Sequence, residues 1–449
     1  MLAAIVLAVV AASDAEAGLR GRLDWALRSP YVSPSLTGAI ALDLTDGSRI
    51  YGHNASLSLR PASNEKLVVA LAALDRLGPE SRIPTAVFGE GTLVDGVLQG
   101  RIVLKGYGDP SLSRRDLEQF AANLKAAGIT SIAGNVVGDE SYYDSMRTAP
   151  GWKPSYYKEE SPPLSALIVN RGRVGRVTVD NPALAAARAF RRKLIAAGIA
   201  VPRSAKRGLA GSETTRLGRR FSGELSRLVS RMNLESDNFY AEMLLKQLGA
   251  RVRGAGTTAD GARVARQELK ERGVPLEGVR IVDGSGLSSQ DRLTARAIVA
   301  MLISAWSDPV IKNAFVTSLP VAGVSGTLRE RMTTWPAYGR VRAKTGTTST
   351  ASALSGYVRT RFVFSVLQNG FPVSVYYARR TQDRFAAVLA GAEERLETRF
   401  VEELDTEPLR LRQLRRARLL ADDERRRLAR DRVRHLRAGR LESRRRLFA

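Results

Sequence analysis

The sequence predicts an α+β fold in which helices pack on an antiparallel sheet, with a β-rich domain inserted part-way. Three observations predict it. A segment at 67–77 is apolar nearly all round, which suits a helix buried in the middle of a domain. Runs at 351–358, 362–368 and 372–378 read as consecutive strands and are followed by a helix at 385–396. Between 82 and 181 helical spacing gives way to glycines, short alternating runs and turn dipeptides.

Taken in order, the chain opens on an apolar run from Leu2 to Ala12 and then Ala15-Glu16-Ala17, an A-x-A-like cleavage site. Residues 1–17 therefore read as a signal peptide without its usual basic start, and the protein is expected to be exported, to periplasm or cell wall. A short helix follows at 18–28, then a hairpin, 36–44 and 48–51, turning on Thr45-Asp46-Gly47. After the insert, helical spacing returns at 182–197, 225–248 and 295–306, the last with Thr294 as a cap. Asn369-Gly370 marks a turn between the last two strand runs. The reading assigns 18–81 and 182–404 to the main domain and 82–181 to the insert. From 405 to 449 an arginine-rich tail is either a basic amphipathic helix or a disordered arm.

Composition excludes several chemistries. There is no cysteine, so disulfides, thiolate nucleophiles and Cys-ligated metal are all excluded. His53 and His435 are the only histidines; neither stands in H-E-x-x-H, and no G-x-S-x-G elbow accompanies them. A hydrolase built from this chain would use a base other than histidine, with no metal and no cofactor expected. No run of 18 apolar residues predicts a membrane span. The net charge is +25, and from 406 onward the tail holds 16 arginines against six acids. An exported protein of this charge is attracted to polyanions of the wall, and no nucleic-acid partner is expected.

Three short motifs carry chemistry. Ser63-Asn64-Glu65-Lys66 opens the buried helix, Ser236-Asp237-Asn238 sits between two helical stretches, and Lys344-Thr345-Gly346 precedes the strand runs. On a helix, positions i and i+3 share a face, so Ser63 and Lys66 can touch. A serine hydroxyl becomes a nucleophile when a base takes its proton. Lysine can be that base when burial makes its ammonium acidic, and arginine cannot. The chain has 59 arginines and 11 lysines, so a lysine at 66 stands out. A second S-x-x-K, Ser155 to Lys158, lacks the buried helix behind it. Each motif alone is weak; three in this order are not.

At these residues the sequence resembles the serine penicillin-recognising enzymes, whose signature is S-x-x-K, S-D-N and K-T-G. Further stretches resemble the D-alanyl-D-alanine carboxypeptidase/endopeptidases of the penicillin-binding protein 4 type, peptidase family S13. They are Pro61-Ala62-Ser63-Asn64-Glu65-Lys66, Gly106-Tyr107-Gly108-Asp109-Pro110, Gly138-Asp139, Asp283-Gly284-Ser285-Gly286-Leu287-Ser288 and Lys344-Thr345-Gly346-Thr347. The resemblance implies a β-lactamase/transpeptidase-like main domain and cleavage of peptidoglycan stem peptides through a Ser63 acyl-enzyme, with penicillin as covalent inhibitor.

By the same resemblance, Lys66 is the base, Ser236 relays a proton to the leaving D-alanine, Asn238 holds the substrate amide and Lys344 adds positive charge. Thr345, Gly346 and Thr347 line the carboxylate site, the backbone N–H groups of Ser63 and Thr347 form the oxyanion hole, and Asp139 is a candidate contact for the stem side chain. Three departures stand out, the extra arginine-rich tail being one. The run from Val169 to Val174 leads almost directly to 177–184, where relatives place a third domain, and Ser289 stands where some relatives have an arginine.

Two other readings compete. A β-lactamase using the same residues would need a glutamate-held water for fast deacylation. No glutamate stands in a recognisable motif of that kind, so a long-lived penicilloyl enzyme is expected. A non-catalytic wall-binding protein anchored by the basic tail would have no use for the five side chains Ser63, Lys66, Ser236, Asn238 and Lys344.

Overall fold

The computed structural model describes residues 18–406. The signal-peptide reading at 1–17 and almost all of the arginine-rich tail fall outside these residues.

The first segment gives helix α1 (18–27), the hairpin β1 (Thr37–Asp43) and β2 (Arg49–His53), and helix α2 (Glu65–Leu77). In the hairpin turn, Asp43 Oδ1 accepts from Thr45 N at 2.8 Å, and Gly47 takes a φ of 78° that its missing Cβ permits. Leu67 to Leu74 of α2 are completely buried, which is what an all-round apolar helix requires.

A second unit follows. It comprises β3 (Pro84–Val94), β4 (Val97–Gly106), α3 (Arg114–Ala126), β5 (Ser131–Ile132), β6 (Val136–Asp139) and the kinked turn α4 (Tyr156–Glu159). It continues through the small hairpin β7 (Arg173–Val174) and β8 (Val177–Thr178), then α5 (Pro182–Ala196), β9 (Ala205–Arg207) and β10 (Thr215–Phe221). The sheet runs β10-β3-β4-β6-β9, with β5 also beside β4. It is mixed: β4 pairs antiparallel with β3 and parallel with β6.

This corrects the boundary expected at 181. The apolar face of α5, Ala183, Ala186, Ala187, Phe190 and Leu194, packs with Leu117, Phe120 and Val136 of this unit, so the helix belongs to the insert. The unit closes on β10, which zips against β3 from Thr215 to Phe221. Where relatives were expected to carry a third domain, only the β7–β8 hairpin stands.

The chain then returns with α6 (Leu225–Leu234), α7 (Asn238–Arg253), α8 (Thr258–Glu271), α9 (Ala295–Ser307), α10 (Lys312–Thr317), β11 (Val341–Thr347), β12 (Ala351–Val358), β13 (Phe362–Asn369) and α11 (Val375–Thr406). The five-stranded sheet is antiparallel throughout, in the order β11-β12-β13-β1-β2. One face packs on α9 and shares a core with α2 and α7 that includes Leu71, Leu244, Ile298, Tyr357 and Leu367. The other is covered by α1 and α11 through Leu23, Phe364, Phe385 and Leu389. The strand expected at 372–378 is instead the approach to α11 and its first turn. The strand that pairs with β12 on the side away from β13 is β11, which carries the K-T-G residues.

Thr294 caps α9, its hydroxyl accepting from Ala297 N at 3.0 Å. Thr294→Ala should cost about 1 kcal/mol, measured as a lowered urea midpoint with unchanged slope.

Candidate active site

The three motifs converge. Ser63 lies in a 3-10 turn, Ala62–Asn64, that feeds directly into α2. One turn along, Lys66 is wholly buried and its Nζ donates to Ser63 Oγ at 3.0 Å, Asn238 Oδ1 at 2.8 Å and the Ser285 carbonyl at 2.7 Å. Ser236 stands at the break between α6 and α7 with φ 55°. Asp237 caps α7, accepting from Tyr240 N at 3.1 Å, and is paired with Arg171, a residue of the insert. Lys344, wholly buried on β11, donates to Ser236 Oγ at 2.8 Å and to the Thr345 carbonyl at 2.9 Å.

Strand β11 is held against the nucleophile turn by Asn64 Nδ2, which donates to the Lys344 carbonyl at 3.1 Å. The approach explains the glycine of K-T-G. A Cβ on Gly346 would lie 2.9 Å from the Pro61 carbonyl oxygen and 3.0 Å from Ser63 N, closer than ordinary contact allows. Thr345 Oγ1 pairs with Thr327 Oγ1 at 2.7 Å, and Arg379 Nη2 donates to Thr347 Oγ1 at 3.2 Å. A small cleft lined by Arg60, Ala62, Tyr156, Gly286, Thr348 and Thr350 among others opens along this edge.

Burial sets the electrostatics. It pushes Lys66 down to about 8, against the opposing pull of the Asp283 and Glu242 carboxylates. Lys344 is pushed well below the ordinary lysine range by burial and then by the charge of Lys66. A lysine lowered this far is a base at mildly alkaline pH, which no arginine could be.

Behind Lys66 lies a shell of buried carboxyl groups. Burial and then the Asp283 charge push Glu65 and Asp291 well up and Glu242 up to about 8. Glu242 and Asp283 build the turn at 283–288. Glu242 Oε1 accepts from Gly284 N and Ser285 N at 3.0 and 2.8 Å, and Asp283 accepts from Gly286 N and Ser288 N at 2.7 and 2.8 Å. The stretch 283–288 is thus a structural turn, and its Ser285 carbonyl is the third acceptor of Lys66.

Asp139 does not join this cluster. Its carboxylate, at the end of β6, accepts from Lys105 Nζ at 2.9 Å, Ser141 N at 2.8 Å and Ala210 N at 2.9 Å, and these bonds hold it below its ordinary value despite burial. None of these partners hydrogen-bonds to Ser63, Lys66, Ser236, Asn238 or Lys344. The second S-x-x-K also lies apart from Lys66: Lys158 pairs with Asp180 at 2.6 Å. Two groups at the site were missed from sequence: the Ser285 carbonyl and Glu160. The Glu160 main-chain oxygen accepts from Asn238 Nδ2 at 3.1 Å, with its carboxylate Oε2 3.5 Å from the same nitrogen. Nothing in the local sequence of Glu160 marks it.

Comparison with known proteins bears on this geometry. The family model described as "D-Ala-D-Ala carboxypeptidase 3 (S13) family" matches residues 19–177 and 173–391. A D-alanyl-D-alanine carboxypeptidase of an Actinomadura species is 30% identical over 442 residues, spanning 78% of this chain and 81% of that protein. Carboxypeptidase DacB of Mycolicibacterium smegmatis is 30% identical, spanning 83% and 84%. Among solved structures, penicillin binding protein 4 of Haemophilus influenzae superposes with a TM-score of 0.73 over 82% of this chain and 98% of that one. At 21% identity this is a likeness of fold. With the family model matched across most of its length, this chain belongs to the S13 family of D-Ala-D-Ala carboxypeptidases.

Proposed function

We propose that this serine-type D-Ala-D-Ala carboxypeptidase works through Ser63, with Lys66 as general base. Neutral Lys66 takes the Ser63 proton as Oγ attacks the carbonyl of the penultimate D-alanine of a peptidoglycan stem peptide. The backbone N–H groups of Ser63 and Thr347 receive the oxyanion. The proton that Lys66 took returns through Ser236, which is bonded to Lys344, to the departing D-alanine amine, and Asn238 holds the substrate amide. Thr345 and Thr347 take the terminal carboxylate over Gly346, with Lys344 donating to Ser236 beside them. The acyl-enzyme is then hydrolysed. Asp139 is left out of this reading, because Lys105 already neutralises it.

The observation that carries the proposal is Lys66 Nζ, wholly buried and 3.0 Å from Ser63 Oγ. β-Lactams fit the same chemistry, since their strained amide acylates an activated serine in place of the peptide bond. A second Haemophilus influenzae penicillin binding protein 4 structure, 22% identical, is described as complexed with a β-lactam. Penicillin should add its mass once to the intact protein, and peptide mapping should place the adduct on Ser63. An adduct on any other residue overturns the assignment.

The same substrate puts the protein outside the cytoplasm, in periplasm or wall, and among the described residues no helix is long and apolar enough to cross a membrane. The arginine-rich tail fits a wall polyanion. Salt-dependent retention of full-length and tail-deleted protein on isolated walls separates the tail from the domain.

A further inference from the structure

We propose that Glu160 is the base that activates water for hydrolysis of the Ser63 acyl-enzyme. The inference rests on the acyl-enzyme reading above. Its ground is a chain of contacts. Ser63 Oγ and Asn238 Oδ1 both accept from Lys66 Nζ, at 3.0 and 2.8 Å. The other end of the Asn238 amide meets Glu160, at 3.1 Å to its carbonyl and 3.5 Å to its carboxylate. The carboxylate thus stands on the far side of Asn238 from Lys66, and its charge acts on Lys66.

The surroundings leave this carboxylate free to work. Lys158, two residues before it, is paired with Asp180, and Arg171 is paired with Asp237. Glu160 forms no ion pair among the described residues and is exposed. Its position is fixed nonetheless. Glu160 N donates to the Tyr156 carbonyl at 3.0 Å, and the left-handed backbone of Lys158 turns the chain there (φ 70°). Further along the same segment, Trp152 Nε1 donates to Asp283 at 2.8 Å, tying it to the turn that holds Lys66. No local motif marks a glutamate that holds a deacylating water; the fold supplies one by bringing a segment of the insert to Asn238.

The step balances without another reactant. Glu160 accepts a proton from water as the water oxygen bonds to the acyl carbon. The tetrahedral intermediate collapses with cleavage of the carbon–Oγ bond, and Oγ takes a proton delivered through Lys66. That proton is the one Glu160 took from water, so Glu160 ends ionised, Lys66 neutral and Ser63 protonated, as they began.

The test uses the full chain with penicillin, followed by intact mass through a chase. Glu160→Gln should form the Ser63 adduct at a rate within a few-fold of wild type and lose it about 10²-fold more slowly, the lower end for a general base. With a D-Ala-D-Ala peptide, kcat and KM should fall together, because kcat/KM reports steps up to acylation only. Glu160→Asp should lie between. Equal decay of the adduct in wild type and Glu160→Gln overturns the proposal, as does formation slowed in the same proportion as decay. If wild type gives no Ser63 adduct, the acyl-enzyme reading is what fails.

Discussion

Replacing Lys66 by arginine should slow acylation of Ser63 by about 10³-fold, within the range for loss of a general base. Arginine keeps the cation and its donors, so a merely electrostatic role for residue 66 would survive the change. A proton acceptor would not, since guanidinium stays protonated at any accessible pH. The Lys66 pocket is fully enclosed, so the larger side chain could disturb packing. Lys66→Met, close in volume and uncharged, is the companion variant and should be equally slow. The wild-type pH profile carries the same idea. The working form of Lys66 is neutral and its value is lowered to about 8. Acylation should therefore rise about tenfold per pH unit below that value and level off above it. Stopped-flow acylation by a chromogenic β-lactam reads all three. A Lys66→Arg enzyme within tenfold of wild type would remove lysine from the role of base.

Much of this site was legible because its chemistry is encoded at short range. Ser63 and Lys66 are three residues apart on one helix face, and the apolar run after them announces burial. Ser236 and Asn238 flank a helix start whose cap, Asp237, is a standard N-cap residue. The long-range parts were not legible. Glu160 reaches Asn238 across 78 residues of sequence, from a stretch of acids and prolines that looks like any surface loop. The Ser285 carbonyl is main chain, and no residue type advertises a carbonyl.

The errors in fold have physical causes of the same sort. Helix α5 was assigned to the main domain because an amphipathic helix does not say which apolar surface it covers; here it covers the sheet of the insert. Strands β9 and β10 escaped because they are edge strands rich in arginine and lysine, without an apolar alternation to betray them. At 372–378 the residues Val373, Val375, Tyr376 and Tyr377 favour strand by propensity. Tertiary contacts prevail. Ala378 N donates to the Ser374 carbonyl at 2.9 Å, and Gln382, buried on α11, donates to Ser352 of β12 and Gln368 of β13.

Gly286→Ala should cost at least about 10²-fold in Ser63 acylation, although residue 286 contributes no side chain to the chemistry. Gly286 has φ 79°, and an added Cβ would lie 1.8 Å from the Ala62 carbonyl oxygen and 2.4 Å from its carbon. Both are backbone atoms of the nucleophile turn, so neither can swing away as a long side chain would. Either the 283–288 turn moves or Ala62 and Ser63 do. The first withdraws the Ser285 carbonyl from Lys66, and the second displaces Oγ from its 3.0 Å contact. A left-handed alanine carries its own penalty of roughly 1–2 kcal/mol, which must be separated from the clash. Gly254→Ala provides that separation: Gly254 ends α7 at φ 73° with nothing within 4 Å of an added Cβ. It should show the stability loss alone, with acylation unchanged. If Gly286→Ala is no slower in acylation than Gly254→Ala, the packing of the 283–288 turn on Ala62 is not what holds Ser63 and Lys66 in register.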